Sequence, residues 1–135
     1  MSMRKEAASV HLGPIPVWLY VASDERQFGN LVRHLGVDPG SGFMRGNSLA
    51  TTHLLGRTRF GPTAVCICMR RVSKLDIITV GLAAHEASHA VDFIFETMGE
   101  DTPGEETKAY LIQYITQATL EIISGRKAIT TEWGR

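Results

Sequence analysis

The spacing of apolar residues along the chain changes between a period of two and a period near 3.6. Residues 17–22 read Val-Trp-Leu-Tyr-Val-Ala, and residues 63–69 form a second short run rich in β-branched side chains. Both runs are typical of strands. Residues 43–55 also have an extended pattern, which Gly46-Asn47 interrupts with a pair that suits a hairpin turn or a bulge. The pattern therefore predicts a strand, a helix and then two or three further strands.

The helix between these strands has a start signal, an apolar stripe and a stop signal. Ser23 is the predicted N-cap, and acidic residues follow it in the first turn. Gly36 closes the helix. The apolar residues stand at helical spacing: Phe28, Leu31, Val32 and Leu35. One side of this helix is thus expected to pack against a sheet.

Two longer helices are predicted in the second half of the chain. Ser73 and Asp76 resemble a capping box, and Gly99 ends the helix that follows. Apolar residues surround nearly the whole circumference of its first half, which predicts burial there. The next helix has Thr102 as predicted N-cap, Pro103 at its first position and Glu105 at its third, and it runs to Gly125.

This order of elements predicts the α+β class, with a small, mostly antiparallel sheet, one helix before it and two long helices after it. A chain of 135 residues argues for a single domain over residues 1–135. The ends, residues 1–14 and 126–135, are predicted to be loosely attached. Trp133 is expected to pack back on the domain.

Charge and cysteine content exclude several classes of protein. Lys plus Arg and Asp plus Glu each number 14, so no excess charge favours nucleic acid or an anionic membrane. No signal peptide or membrane span is evident. Cys66 and Cys68 share one face of a predicted strand, which places them poorly for a mutual disulfide. We therefore expect reduced cysteines and a cytoplasmic protein.

The candidate chemistry lies in the second half of the chain, in His85-Glu86-Ala87-Ser88-His89. Residues four apart on a helix project from the same side, so the two imidazoles can share one zinc ion. Glu86, next to the first ligand, can reach a water on that ion without binding the ion itself. Because the surrounding helix is apolar, a buried His, Glu and His would be costly without a shared partner. The pattern predicts a zinc site.

A third ligand is sought on the following helix. Glu105 is the predicted capping-box residue and should turn back towards Thr102. Glu106 stands beyond the cap and can approach the histidines if the two helices pack antiparallel. We predict Glu106, with Glu105 as the alternative. Asp92 could orient an imidazole or could be an ordinary surface carboxylate.

His85-Glu86-x-x-His89, followed by a glutamate on the next helix, resembles the glutamate-type zincin metallopeptidases (gluzincins). Residues 106–110, Glu-Thr-Lys-Ala-Tyr, resemble the Glu-x-x-Ala-Asp segment that supplies the third ligand in several minimal zincins. The resemblance covers roughly residues 63–115 and the compact size is similar to phage or prophage zincins. This chain departs from the family pattern at position 110, where it has Tyr110 and those families often have an aspartate.

The resemblance implies peptide-bond hydrolysis by a zinc-bound water, with Glu86 as general base. Tyr110 would donate its hydroxyl to the developing oxyanion, or simply pack its ring. The strand at residues 63–69 would form the sheet edge beside the cleft, where an extended peptide substrate adds. A domain this small can need a protein partner to complete its cleft. The alternatives are a catalytically silent zinc-fold module that binds or regulates a partner, and a structural domain without metal.

Overall fold

A computed structural model of the chain describes residues 5–126. It has seven elements, which are in chain order β1 Ala8–Val10, β2 Val17–Ala22, α1 Glu25–Leu35, β3 Ala50–Arg57, β4 Thr63–Met69, α2 Ile77–Thr97 and α3 Glu105–Ser124. The α+β class is confirmed. Residues 127–135, and with them the expectation for Trp133, lie outside the described part of the chain.

The four strands form one mixed sheet in the order β1-β2-β4-β3. The central pair, β2 and β4, is parallel, whereas β1 pairs antiparallel with β2, and β3 with β4. The expected edge position of residues 63–69 is therefore wrong. Strand β4 lies between β2 and β3 and is buried along residues 64–69, so its continuous apolar run marks a central strand.

Two strands differ from their predicted bounds. Residues 1–14 were expected to be loosely attached, but Ala8–Val10 pairs with β2 and buries Val10. Three residues are too few to give a periodic pattern. The extended pattern at residues 43–55 becomes β3 only from Ala50, and the strand continues to Arg57 through a bulge at Gly56, whose φ is 82°. Gly46-Asn47 precedes the strand.

The sheet separates two apolar layers. Helix α1 covers one face with Phe28, Leu31 and Leu35, and it ends at Gly36, whose φ of 68° suits a residue without a side chain. Its N-cap is Asp24 rather than Ser23, since the Asp24 carboxylate accepts from the main-chain N–H of Gln27 at 2.8 Å. Helices α2 and α3 cover the other face.

Helix α2 begins one residue after its cap, Asp76, whose carboxylate accepts from the Thr79 amide. The prediction that its first half is buried is wrong. Ile77 and Ile78 are 91% and 70% exposed. The helix touches the sheet and α3 along one face only, which is rich in alanine and allows close approach, so apolar side chains elsewhere stay in solvent.

Helix α3 begins at Glu105 with Gly104 as its N-cap, and no side chain caps it. The predicted capping box of Thr102 and Glu105 is therefore wrong. The main-chain N–H of Val72, shortly before α2, donates to the Ile123 carbonyl near the end of α3. The two helices consequently run antiparallel, as the sequence interpretation assumed. In the described residues no helix has the length and apolar content that a membrane crossing needs.

Candidate metal centre

The two histidines of the motif meet one turn apart on the exposed side of α2. Nε2 of His85 and Nε2 of His89 are 3.1 Å apart, and the ring centroids are 4.7 Å apart with the ring planes at 81°. Both side chains are exposed to solvent. The i, i+4 spacing on a regular helix therefore brings two imidazole nitrogens together at the surface.

This separation fits a shared zinc ion. Zinc bonds imidazole nitrogens at about 2.0–2.1 Å in a tetrahedral arrangement, which puts two such nitrogens about 3.3 Å apart. The observed 3.1 Å is close to that value. Without an ion, the same distance allows the N–H of one ring to donate to the lone pair of the other. The separation of the two nitrogens is therefore compatible with two ligands of one divalent ion.

The expectation that all three polar residues of the motif are buried is only partly correct. Glu86 is 5% exposed, whereas both imidazoles face solvent. At about 100° per residue, His85 and His89 lie on the side of α2 opposite to its buried alanines. The desolvation cost that supported a shared metal ion thus applies to Glu86 alone.

Glu86 faces the sheet and is held by Thr52 of β3. The Thr52 hydroxyl lies 2.8 Å from Oε1 of Glu86 and 3.1 Å from the Glu86 main-chain carbonyl oxygen. Thr52 is 4% exposed. Within residues 5–126, this hydroxyl is the only hydrogen-bond partner of the Glu86 carboxylate, and it contacts Oε1.

The Thr52 hydroxyl can bond Glu86 in both of its protonation states. When Glu86 is ionised, the hydroxyl donates to Oε1 in a charge-assisted bond. When Glu86 is protonated on Oε2, Oε1 remains an acceptor and the Thr52 hydroxyl continues to donate to it. The carboxyl group therefore keeps this hydrogen-bond partner in either protonation state.

An ion pair marks the register of α3 against α2. Nζ of Lys108 is 3.1 Å from Oδ1 of Asp92, which makes Asp92 a surface carboxylate rather than a partner of the histidines. With a rise of about 1.5 Å per residue, Asp92 lies about 4.5 Å beyond His89 along α2, and Glu106 lies about 3 Å before Lys108 along α3. In an antiparallel pair, both offsets separate Glu106 from the histidines.

The described structure does not bring Glu106 to the histidines. Glu106 is exposed and lies about 180° around α3 from the buried Ile115, while Glu105 lies about 80° from Ile115. Tyr110, one turn after Glu106 on the same outer face, is 58% exposed. No three His, Cys, Asp or Glu side chains in residues 5–126 are grouped so as to hold a metal ion. The donor set present is two imidazoles.

Sequence reasoning did not identify Thr52. It lies in the predicted extended segment, and nothing in Thr51-Thr52-His53 marks which threonine faces the helix. Strand alternation places Thr52 on the α2 side of the sheet, opposite Ile67, and Thr51 on the α1 side, opposite Cys68. Only the pairing register distinguishes the two.

The comparisons with known proteins give no relative from which to assign this centre: no protein-family model, no curated protein and no solved structure matches the chain.

Proposed function

We propose that the protein is a zinc-dependent hydrolase of peptide bonds, with a zincin-like arrangement of its metal helix. The observation that carries the proposal is the 3.1 Å approach of the two imidazole nitrogens, with a buried, hydrogen-bonded glutamate between them in the sequence. A zinc ion supplies a Lewis acid that polarises a carbonyl and makes water more acidic. The residues of this chain supply the binding, the base and the substrate surface.

Each residue has a stated role in the proposal. His85 and His89 hold the ion through Nε2. By resemblance to the gluzincins, Glu106 would complete the ligand set, with Glu105 as the alternative. Because the described α3 turns Glu106 away from the histidines, this role requires α3 to shift or rotate against α2. Glu86 accepts a proton at Oε2 and returns it to the leaving amine. Tyr110 is the proposed donor to the oxyanion.

The substrate is proposed to lie along β3. This strand forms one edge of the sheet, and within residues 5–126 no strand pairs with its outer side. An extended peptide can add there through main-chain hydrogen bonds. Thr52 and Leu54 lie on the face of β3 that meets α2, and Leu54 is 41% exposed. A partner protein would extend this short surface.

One observation favours the alternative, a zinc-binding module without turnover. Glu86 is buried against β3, and the candidate third ligand Glu106 is on the outer face of α3. Such a module would bind zinc and a protein partner through the same surfaces. Replacing Glu86 and measuring both peptide cleavage and zinc content distinguishes the two functions.

The test combines metal analysis with peptide cleavage. We expect about one equivalent of zinc in protein purified without added metal, and cleavage of an extended-peptide library detected by mass spectrometry. A chelator should stop cleavage and zinc should restore it. Glu86→Gln should lower the rate by about 100-fold to 10,000-fold, the usual contribution of a general base, and leave the zinc content unchanged.

Glu96→Gln, on the exposed side of the same helix, is the matched control and should retain full activity. Cleavage that survives both the chelator and Glu86→Gln would contradict the proposal. Stable zinc binding without any cleavage would support the silent module, and less than a tenth of an equivalent of bound zinc, unchanged by added zinc, would reject both.

A further inference from the structure

Thr52 and Glu86 make a buried contact between the edge strand and the metal helix. The two residues are 34 positions apart in sequence, and their side chains are among the few buried polar groups on the α2 side of the sheet. The hydroxyl-to-Oε1 distance of 2.8 Å is that of a good hydrogen bond to a carboxylate. Glu86 is therefore restrained by a residue outside its own helix.

We propose that Thr52 is a positioning residue for Glu86: its hydroxyl holds Oε1 at the sheet and so sets the orientation of the whole carboxylate. The catalytic meaning of this inference rests on the proposed function, while the restraint itself does not. A carboxylate on a flexible side chain samples several orientations, and a base that is misplaced by about 1 Å can lose about 100-fold in rate. One fixed oxygen removes most of that freedom.

Threonine suits this role because both its side-chain rotamer and its backbone are restrained. Its β-branch restricts χ1, and its backbone is held by pairing with β4 opposite Ile67. The hydroxyl also lies 3.1 Å from the Glu86 main-chain carbonyl oxygen, so Thr52 contacts the backbone of α2 as well as the carboxylate. The base is thereby aligned with the strand that we propose binds the substrate.

A purely structural tie between strand and helix is the competing explanation. Such a tie would affect folding stability and not the relative values of kcat and KM. Thr51 offers a matched comparison, because it is also buried in β3 and also hydrogen-bonded, with its hydroxyl accepting from the Arg45 amide at 3.2 Å. It faces the opposite side of the sheet from Glu86.

The first experiment compares Thr52→Val, Thr52→Ser and the control Thr51→Val in the full chain loaded with zinc. We expect Thr52→Val to lower kcat by about 10-fold to 100-fold, a part of the general-base contribution, with KM within about twofold. Thr52→Ser keeps the hydroxyl and should retain kcat within about threefold. Thr51→Val should leave both constants unchanged, and zinc affinity should be the same in all variants.

Equal kcat in Thr52→Val and the wild type would overturn the inference, as would equal losses in Thr51→Val and Thr52→Val. Thr52→Ala removes the same hydroxyl with a smaller side chain and replaces Thr52→Val if the valine variant does not fold.

Crystal structures of the same variants test the restraint without reference to activity. The Glu86 carboxylate should keep its orientation in Thr52→Ser and adopt a different or a divided orientation in Thr52→Val. An unchanged carboxylate in Thr52→Val would overturn the inference even if the protein cleaves peptides. A displaced carboxylate in a protein without activity would support the restraint and reject the proposed function, so the two failures are distinguishable.

Discussion

Lys108 and Asp92 join the first turns of α3 to α2, with Nζ and Oδ1 3.1 Å apart. Both side chains are largely exposed, so the pair contributes little to stability. Its value is as a marker of register. It shows that the first turns of α3 lie beside the part of α2 that follows His89, and that Glu106 lies on the other side of α3 from the packed face.

The first prediction concerns the third ligand. If a glutamate of α3 binds zinc, replacing it by glutamine should weaken zinc binding by about 100-fold or more, because a tightly bound ion loses one of its few protein ligands. By resemblance, Glu106→Gln should show this loss and Glu105→Gln should not. Competition titration with a chromophoric chelator measures both affinities.

His85→Ala and His89→Ala are the positive controls and should each weaken binding at least as much. A loss confined to Glu105→Gln would transfer the role to Glu105. Unchanged affinity in both glutamine variants would exclude the first turn of α3 as the source of a ligand.

The second prediction concerns the energy of the Thr52–Glu86 bond. In metal-free protein, Thr52→Val should lower the free energy of unfolding by about 1–3 kcal/mol, because a buried carboxylate loses its partner. In the double variant Thr52→Val/Glu86→Met the loss should be smaller than the sum of the single losses, since no unpaired group remains. Urea unfolding in the presence of a chelator measures all four proteins. Additive losses would show that the two side chains do not interact.

The third prediction concerns pH. His53 is 1% exposed, with Nε2 3.0 Å from the Phe43 carbonyl oxygen. Burial lowers its pKa below the ordinary value of 6.5, and Arg45 acts in the same direction, whereas the bond to Phe43 and the charge of Glu86 oppose the shift. As the pH falls, His53 therefore takes up its proton at a higher pH in the unfolded chain than in the folded protein. The contribution of His53 to the free energy of unfolding is fully present above about pH 6.5. Below that pH it decreases, with a slope of at most about 1.4 kcal/mol per pH unit.

The measurement is the free energy of unfolding between pH 7.5 and pH 5, compared with His53→Gln. Glutamine can donate to the Phe43 carbonyl but does not titrate, so the variant should show a shallower decline. Parallel curves for the two proteins would exclude His53 as the source of the pH dependence.

The fourth prediction compares two isoleucines of α2. Ile94 is fully buried, whereas Ile78 is 70% exposed. Ile94→Ala should lower the free energy of unfolding by about 2–5 kcal/mol, because it removes contacts and leaves a cavity. Ile78→Ala should change it by no more than about 0.5 kcal/mol. Equal losses, measured by urea unfolding, would mean that the first turns of α2 are covered in solution.

The sequence by itself determined the elements whose signals are local. Strands β2 and β4 were predicted to the residue, because short apolar runs with β-branched and aromatic side chains differ from the segments around them. Gly36 and Gly125 ended their helices as expected, both with positive φ. The spacing of His85 and His89 also fixed their approach, since any regular helix places residues four apart on one side.

Only the tertiary structure decided which surfaces these elements present. The strand order made β4 central and β3 the edge, because pairing between strands depends on contacts far apart in sequence. The same pairing turned Thr52, and not Thr51, towards Glu86. Packing of α3 against α2 set the side on which Glu105 and Glu106 lie, because neighbouring residues differ by about 100° around the helix axis and local signals do not tell which of them faces α2.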